Sequence, residues 1–153
     1  MFGIEALLLL SSTAILGLFA GAQIAEARLL VPAWKEMSAD EFFAYYPAAG
    51  PRIHGFFAPL TIAATILPLV AVATGLIRGT QPAIVLWILG VSTLAFFSTF
   101  FLYFKAANQS FTDRTLTDDE LPGELNRWGA WHWARIGFEL IAFGCSLVLL
   151  LIG

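Results

Sequence analysis

The chain has 153 residues, of which 59% are hydrophobic and 12% charged, with a formal charge of -3 and a mean hydropathy of +0.80. That balance lies outside the globular range and excludes a nucleic-acid binder or a polybasic lipid anchor. The single Cys145 sits inside a hydrophobic run, so neither a disulfide nor a cysteine-based metal cluster is expected.

Four apolar segments, about 4–30, 55–77, 82–104 and 131–152, each approach the ~20 residues that a bilayer-spanning helix needs. The expected fold is therefore all-α: one domain, an integral membrane four-helix bundle with two long loops on one side. The first segment offers a small-x-small pair at Ala20 and Ala22. Its start has no Lys or Arg and carries Glu5, so it is expected to stay as a span and not to be cleaved as a signal. Thr13, Gly17, Gly21 and Ala25 recur every four residues as a small-residue stripe. Such a stripe suits helix docking, either inside the bundle or, through Gly17 and Gly21, against a membrane-protein partner or a second copy.

Pro32 is expected to close helix one. In the first loop, Ser38 with Glu41 has the spacing of a capping box, and FFAYY reads as a short interfacial helix ended by Pro47, Gly50 and Pro51. The tight IRGTQP turn makes segments two and three antiparallel neighbours. The third loop, NQSFTDRTLTDDELPGELNR, is polar and acidic, and Thr117 with Glu120 is placed to cap a further short turn. Arg28, Lys35, Arg52, Lys105, Arg114, Arg127 and Arg135 flank the two long loops, against Arg78 alone on the other side. The positive-inside rule then puts the loops in the cytoplasm and both termini outside, in what is expected to be a bacterial cytoplasmic membrane. Trp34, Trp128, Trp131 and Trp133 fall near the loop-side interface and Trp87 near the opposite one, the pattern of an aromatic belt.

Each segment also carries a polar line. At about 100° per residue, Trp128, His132, Arg135 and Glu139 fall within roughly 60° of one another, and Ser146 extends the row. Ser12, Gln23 and Glu26 align on segment one, His54, Thr61 and Thr65 on segment two, and Ser92, Thr99 and Tyr103 on segment three. Chain direction places Glu26, His54, His132, Arg135 and Glu139 in the loop-side half of the bundle. Hydroxyls there often bond only their own backbone, whereas intramembrane charge marks a functional site by default. Two readings of Arg135 and Glu139 remain open: an ion pair that fixes packing, or a ligand or proton-handling site.

In the enzymatic reading His132 is a general base, Arg135 stabilises a developing oxyanion and Glu139 orients the guanidinium. Glu26, Tyr45, Tyr46, His54, Tyr103, Trp128 and Trp131 are the candidate substrate-binding residues, suited to an apolar aromatic molecule that arrives from the bilayer. A metal site of His54, His132 and Glu26 or Glu139 is conceivable, but no HxxxH or ExxH spacing supports one, and no metal is expected. In the other reading the chain is an accessory or assembly subunit of a larger membrane complex.

The run Trp128-x-x-Trp131-His132-x-x-Arg135 opens the last of four membrane segments, behind a long first loop and an Arg before the second span. This pattern resembles the anthrone-oxygenase-like membrane family, much of it a domain of unknown function. The Asn-x-Pro-x-Asn run of that family is absent here and replaced by KAANQSF, with Asn108 as its only remnant; Asn108 joins the substrate-binding candidates. The resemblance implies a small four-helix membrane protein and, as in some members, cofactor-free oxidation of a polycyclic phenolic substrate. No cofactor is therefore expected.

Overall fold

A computed structural model describes residues 3–153. It contains four helices, α1 (Ile4–Glu36), α2 (Ala39–Arg78), α3 (Ala83–Thr112) and α4 (Leu121–Ile152), all long and apolar enough to cross a membrane. With 33, 40, 30 and 32 residues they span roughly 45 to 60 Å at 1.5 Å per residue, well beyond the ~30 Å of a hydrocarbon core. The chain is an all-α, multi-pass membrane four-helix bundle. Large apolar side chains such as Leu18, Leu29, Ile84, Val91 and Leu102 stand exposed on its outside, the surface that lipid covers.

The surplus length lies on the side expected to carry long loops, and it corrects three local expectations. Pro32 does not end helix one. The helix widens into a π turn at Glu26–Leu30, where the Val31 N–H donates to the Glu26 carbonyl five residues back, and continues to Glu36. A proline lacks an N–H and crowds the carbonyl four residues behind it; the wider turn just before Pro32 accommodates both. Pro47 and Pro51 likewise lie inside α2 and do not end a short interfacial helix. Their lost backbone bonds are offset by aromatic packing, since Phe42 and Tyr46 from this stretch surround Trp34 at ring centroid distances of 6.3 and 5.7 Å. The third loop shrinks at both ends, because α3 runs on to Thr112 and α4 begins at Leu121.

The caps match the sequence. Glu41 Oε2 accepts from the Ser38 N–H at 2.8 Å and from its Oγ at 2.7 Å, and the Glu41 N–H bonds back to Ser38 Oγ, a reciprocal capping box. Thr117 donates its N–H and its hydroxyl to Glu120 Oε2, and the Glu120 N–H bonds the Thr117 carbonyl, so the pair closes the short turn expected there, just ahead of α4, without the reciprocal bond to Thr117 Oγ1. Gly79, with φ +64°, closes α2 in the left-handed conformation that glycine adopts without strain.

The four helices form a ring in which α1 and α3 each pack against both α2 and α4. Two apolar cores stack along the bundle. One lies within the membrane part and includes Leu16, Phe19, Leu89, Phe96 and Leu149. The other is an aromatic head core, including Trp34, Phe42, Tyr46, Phe111 and Trp128. The small-residue stripe on α1 divides: Thr13 Oγ1 bonds Ser146 Oγ at 2.8 Å, and a Cβ on Gly17 would lie 3.0 Å from the Phe143 ring. Those two positions are used inside the bundle, while Gly21 faces open space. Gly17 is therefore unavailable for the partner docking that the stripe suggested.

Candidate functional site

Between the two cores lies a layer of polar side chains, and both π turns bound it. The second, Phe100–Phe104 in α3, closes with the Lys105 N–H on the Phe100 carbonyl and follows Thr99, whose hydroxyl bonds back to the Phe96 carbonyl. Such turns recur at functional sites because the extra residue re-aims side chains around it. Here they bring Glu26 from α1 and Phe100 and Phe104 from α3 to the wall of one cavity of about 300 Å³. Phe57, Phe97, Phe100 and Phe104 supply its aromatic faces, and Glu26, Arg135 and Thr61 its polar end. Ile62 and Phe101, both more than half exposed, line its lipid-facing side. Tyr46, Gly50, His54, Phe100 and Asn108 are shared with a groove that continues past Lys105 and Gln109 toward the head.

Arg135 is held by stacking and one hydrogen bond. Its guanidinium carbon lies 5.4 Å from the centre of the Phe104 ring and 5.6 Å from that of Phe19, a cation–π arrangement that gains from a dry setting. Nη2 donates to Thr61 Oγ1 at 3.3 Å, across the bundle from α4 to α2, and Nε has no partner among the described residues. The ion pair with Glu139, one of the two readings left open by the sequence, does not form as a contact among the described residues. Glu139 is fully buried, and neither carboxylate oxygen has a hydrogen-bond partner among the described residues. The geometric reason lies on α4, where the guanidinium reaches toward Thr61 and the two rings and leaves the carboxyl one turn deeper.

His132 sits behind the cavity wall, 1% exposed, stacked on Trp128 at 4.8 Å and edge-on to Phe104 at 6.2 Å. Its Nε2 is 3.0 Å from the Gln23 carbonyl. A carbonyl only accepts, so Nε2 carries the proton in this bond. Nδ1 has no hydrogen-bond partner among the described residues. Glu26 Oε2 lies 3.6 Å from Nε2, too far for a hydrogen bond but close enough for electrostatic contact. Glu26 lines the cavity, and His132, expected to act there as a base, does not.

Of the expected binding residues, Glu26, Tyr46, His54, Asn108 and Trp128 line the cavity, with His54 at its exposed rim. Trp128 Nε1 donates to Asn108 Oδ1 at 2.9 Å, which ties α4 to α3. The other three lie elsewhere. Tyr103 donates to Glu124 at 2.7 Å and stacks flat on Trp131 at 5.1 Å, a pairing of α3 with α4 away from the cavity. Tyr45 lines a separate surface groove with Met37 and Glu41. Residues that sequence reading passed over are Trp34, Gln23 and Thr61. Trp34 read as one of several interfacial tryptophans, and Thr61 as a self-bonded hydroxyl, which it also is, through the Phe57 carbonyl at 2.9 Å. For Gln23 the alignment with Glu26 was the available signal.

Among the described residues no group of three or more His, Cys, Asp or Glu side chains is placed to hold a metal ion; Glu26 with His132 is a pair. The fold and site together define a multi-pass helical membrane protein with a polar, aromatic-walled cavity in the loop-side half of its bundle. Compared with family models, curated proteins and solved structures, the chain matches none.

Proposed function

We propose that this protein binds a flat, apolar aromatic molecule with a phenolic or quinone-like oxygen and acts on it as an oxygenase-like oxidoreductase. The observation that carries this reading is the cavity itself: aromatic faces on its sides, Arg135 and Glu26 at one end and a lipid-facing side between α2 and α3. Small-molecule sites combine apolar walls with a few convergent polar groups in this way. The resemblance to the anthrone-oxygenase-like family points to the reaction class, oxidation of a polycyclic phenol with dioxygen as the electron acceptor. In that reaction Glu26 takes the proton from the bound phenol, and Arg135 stabilises the negative oxygen that remains. His132, behind Glu26 and fixed by the Gln23 carbonyl, is a positioning residue. The basic residues around the head support an orientation with the head in the cytoplasm and both termini outside.

The test is turnover of anthrone by the purified protein in lipid nanodiscs, under air and under argon. Quinone formation is expected under air only, and Glu26→Gln and Arg135→Gln are each expected to slow it by about 10² to 10⁴-fold. Unchanged rates in both variants, or no binding of the aromatic molecule by the wild-type protein, overturn the proposal.

A further inference from the structure

The cavity does not end at His54 and Asn108. Both residues also line a groove of about 340 Å³ that runs on past Lys105 and Gln109, so an apolar body within the membrane opens into a polar mouth at the head. The mouth is built of donors. Lys105 is exposed and makes no ion pair among the described residues, whereas Arg114 and Arg127 of the head each pair with an acid. Asn108 is half-buried and its amide is oriented by Trp128: an indole N–H only donates, so the amide oxygen faces it at 2.9 Å and the NH2 group is left to donate elsewhere. His54 adds an exposed imidazole. Among the described residues no Asp or Glu lines the groove, and Asp113, the acid that follows α3, accepts from Gln109 Nε2 at 2.7 Å. In a chain with 11 Asp and Glu against 8 Lys and Arg, a mouth of ammonium, imidazole and amide without a carboxylate is suited to an anion.

We infer that the ligand is an aromatic acid: its rings lie in the cavity with one oxygen at Arg135, and a carboxylate at the head end lies in the groove, held by Lys105 with His54 and the Asn108 amide as further donors. This rests on the aromatic-ligand reading and narrows it to a substrate class. Lys105 directly follows the third apolar segment, so the acid group stays at the level of the lipid headgroups, keeps part of its water and avoids the cost of a charge in the hydrocarbon core.

Anthraquinone and anthraquinone-2-carboxylate test this, since they share one ring outline and differ only in the acid group. Binding to the full chain in lipid nanodiscs is measured as the probe retained above that held by empty nanodiscs. Lys105→Gln is expected to weaken binding of the carboxylate about fivefold, the upper worth of an ion pair near water, and to leave anthraquinone binding unchanged, because Lys105 lines the groove and not the cavity. Arg127→Gln removes the same charge from another part of the head and is expected to change neither, which separates a contact from the general positive field. The chain has two lysines, Lys35 and Lys105, so reductive carbon-13 methylation, which keeps their charge, gives two side-chain signals in the otherwise unaltered protein. The Lys105 signal is expected to shift with the carboxylate and not with anthraquinone, and the Lys35 signal with neither. Equal losses for both probes in Lys105→Gln, equal losses of the carboxylate in Lys105→Gln and Arg127→Gln, or a Lys105 signal that the carboxylate does not move overturn the inference, while anthraquinone binding keeps the aromatic-ligand reading. Where neither probe binds the wild-type protein, that reading fails and this inference with it.

Discussion

Whether the small-residue stripe of α1 is an internal seam or a docking face is decided by two glycines one turn apart. Gly17 faces α4, where a Cβ would sit 3.0 Å from Phe143 Cε2, and the neighbouring contact, Thr13 to Ser146, fixes the helix spacing at a 2.8 Å hydrogen bond. Leucine at this position adds three more carbon atoms beyond a Cβ that is already tight, against a ring that packs on the membrane core. Overpacking of that kind costs about 1 to 3 kcal/mol. It exceeds the gain of up to ~1 kcal/mol from removing a glycine within a helix, so Gly17→Leu is expected to be destabilising on balance. Gly21→Leu is expected to have the opposite sign, because a Cβ there meets nothing within 4 Å and only the helix gain remains. Reversible unfolding by SDS titration in mixed micelles measures both changes, and the chain stoichiometry of the folded protein is read alongside. If Gly17→Leu is neutral while either variant breaks an oligomer apart, the stripe is a docking face and the internal seam is refuted.

Two further outcomes follow from the head and the topology. Glu120, whose carboxylate accepts from the Thr117 N–H at 2.8 Å and from its hydroxyl at 3.0 Å, is held below the usual carboxylate range by those bonds. A folded-state value below the unfolded one contributes stability above about pH 4 that is lost as pH falls through the lower folded value. The Thr117 amide resonance, whose N–H the Glu120 carboxylate accepts, is therefore expected to shift as Glu120 is protonated on acidification and to lose that shift in Glu120→Gln; identical titrations in the two refute the pair's role. Cysteines placed at Asp118 and Gly79 are expected to label from opposite faces of the membrane, Asp118 from the cytoplasm. Labelling of both from one face refutes the four-span topology, and an inverted pattern refutes the orientation.

Four apolar stretches, the Ser38–Glu41 and Thr117–Glu120 pairs and the IRGTQP turn are local features, and sequence alone was enough to place four antiparallel-capable spans, the cap of α2 and the short turn before α4. Backbone bonding within lipid is satisfied inside each helix, so span count follows from apolar length without knowledge of the neighbours. How far each helix runs past the membrane was not legible. Pro32, Pro47 and Pro51 are breakers by local propensity, and only the aromatic head core and the π turn at Glu26–Leu30 make a continued helix favourable there. The site divides in the same way. The period of 3.6 put His132, Arg135 and Glu139 on one face of α4, but a shared face does not say which neighbour each side chain meets. Tertiary packing sent His132 to the Gln23 carbonyl, Arg135 to Thr61 and two phenylalanine rings, and left Glu139 without a hydrogen-bond partner among the described residues. It also turned Trp34, one of several interfacial tryptophans by sequence, into part of the cavity wall. Those outcomes depend on the rotation of each helix about its own axis, which is set by contacts between residues far apart in the chain and therefore has no signature in any single stretch of it.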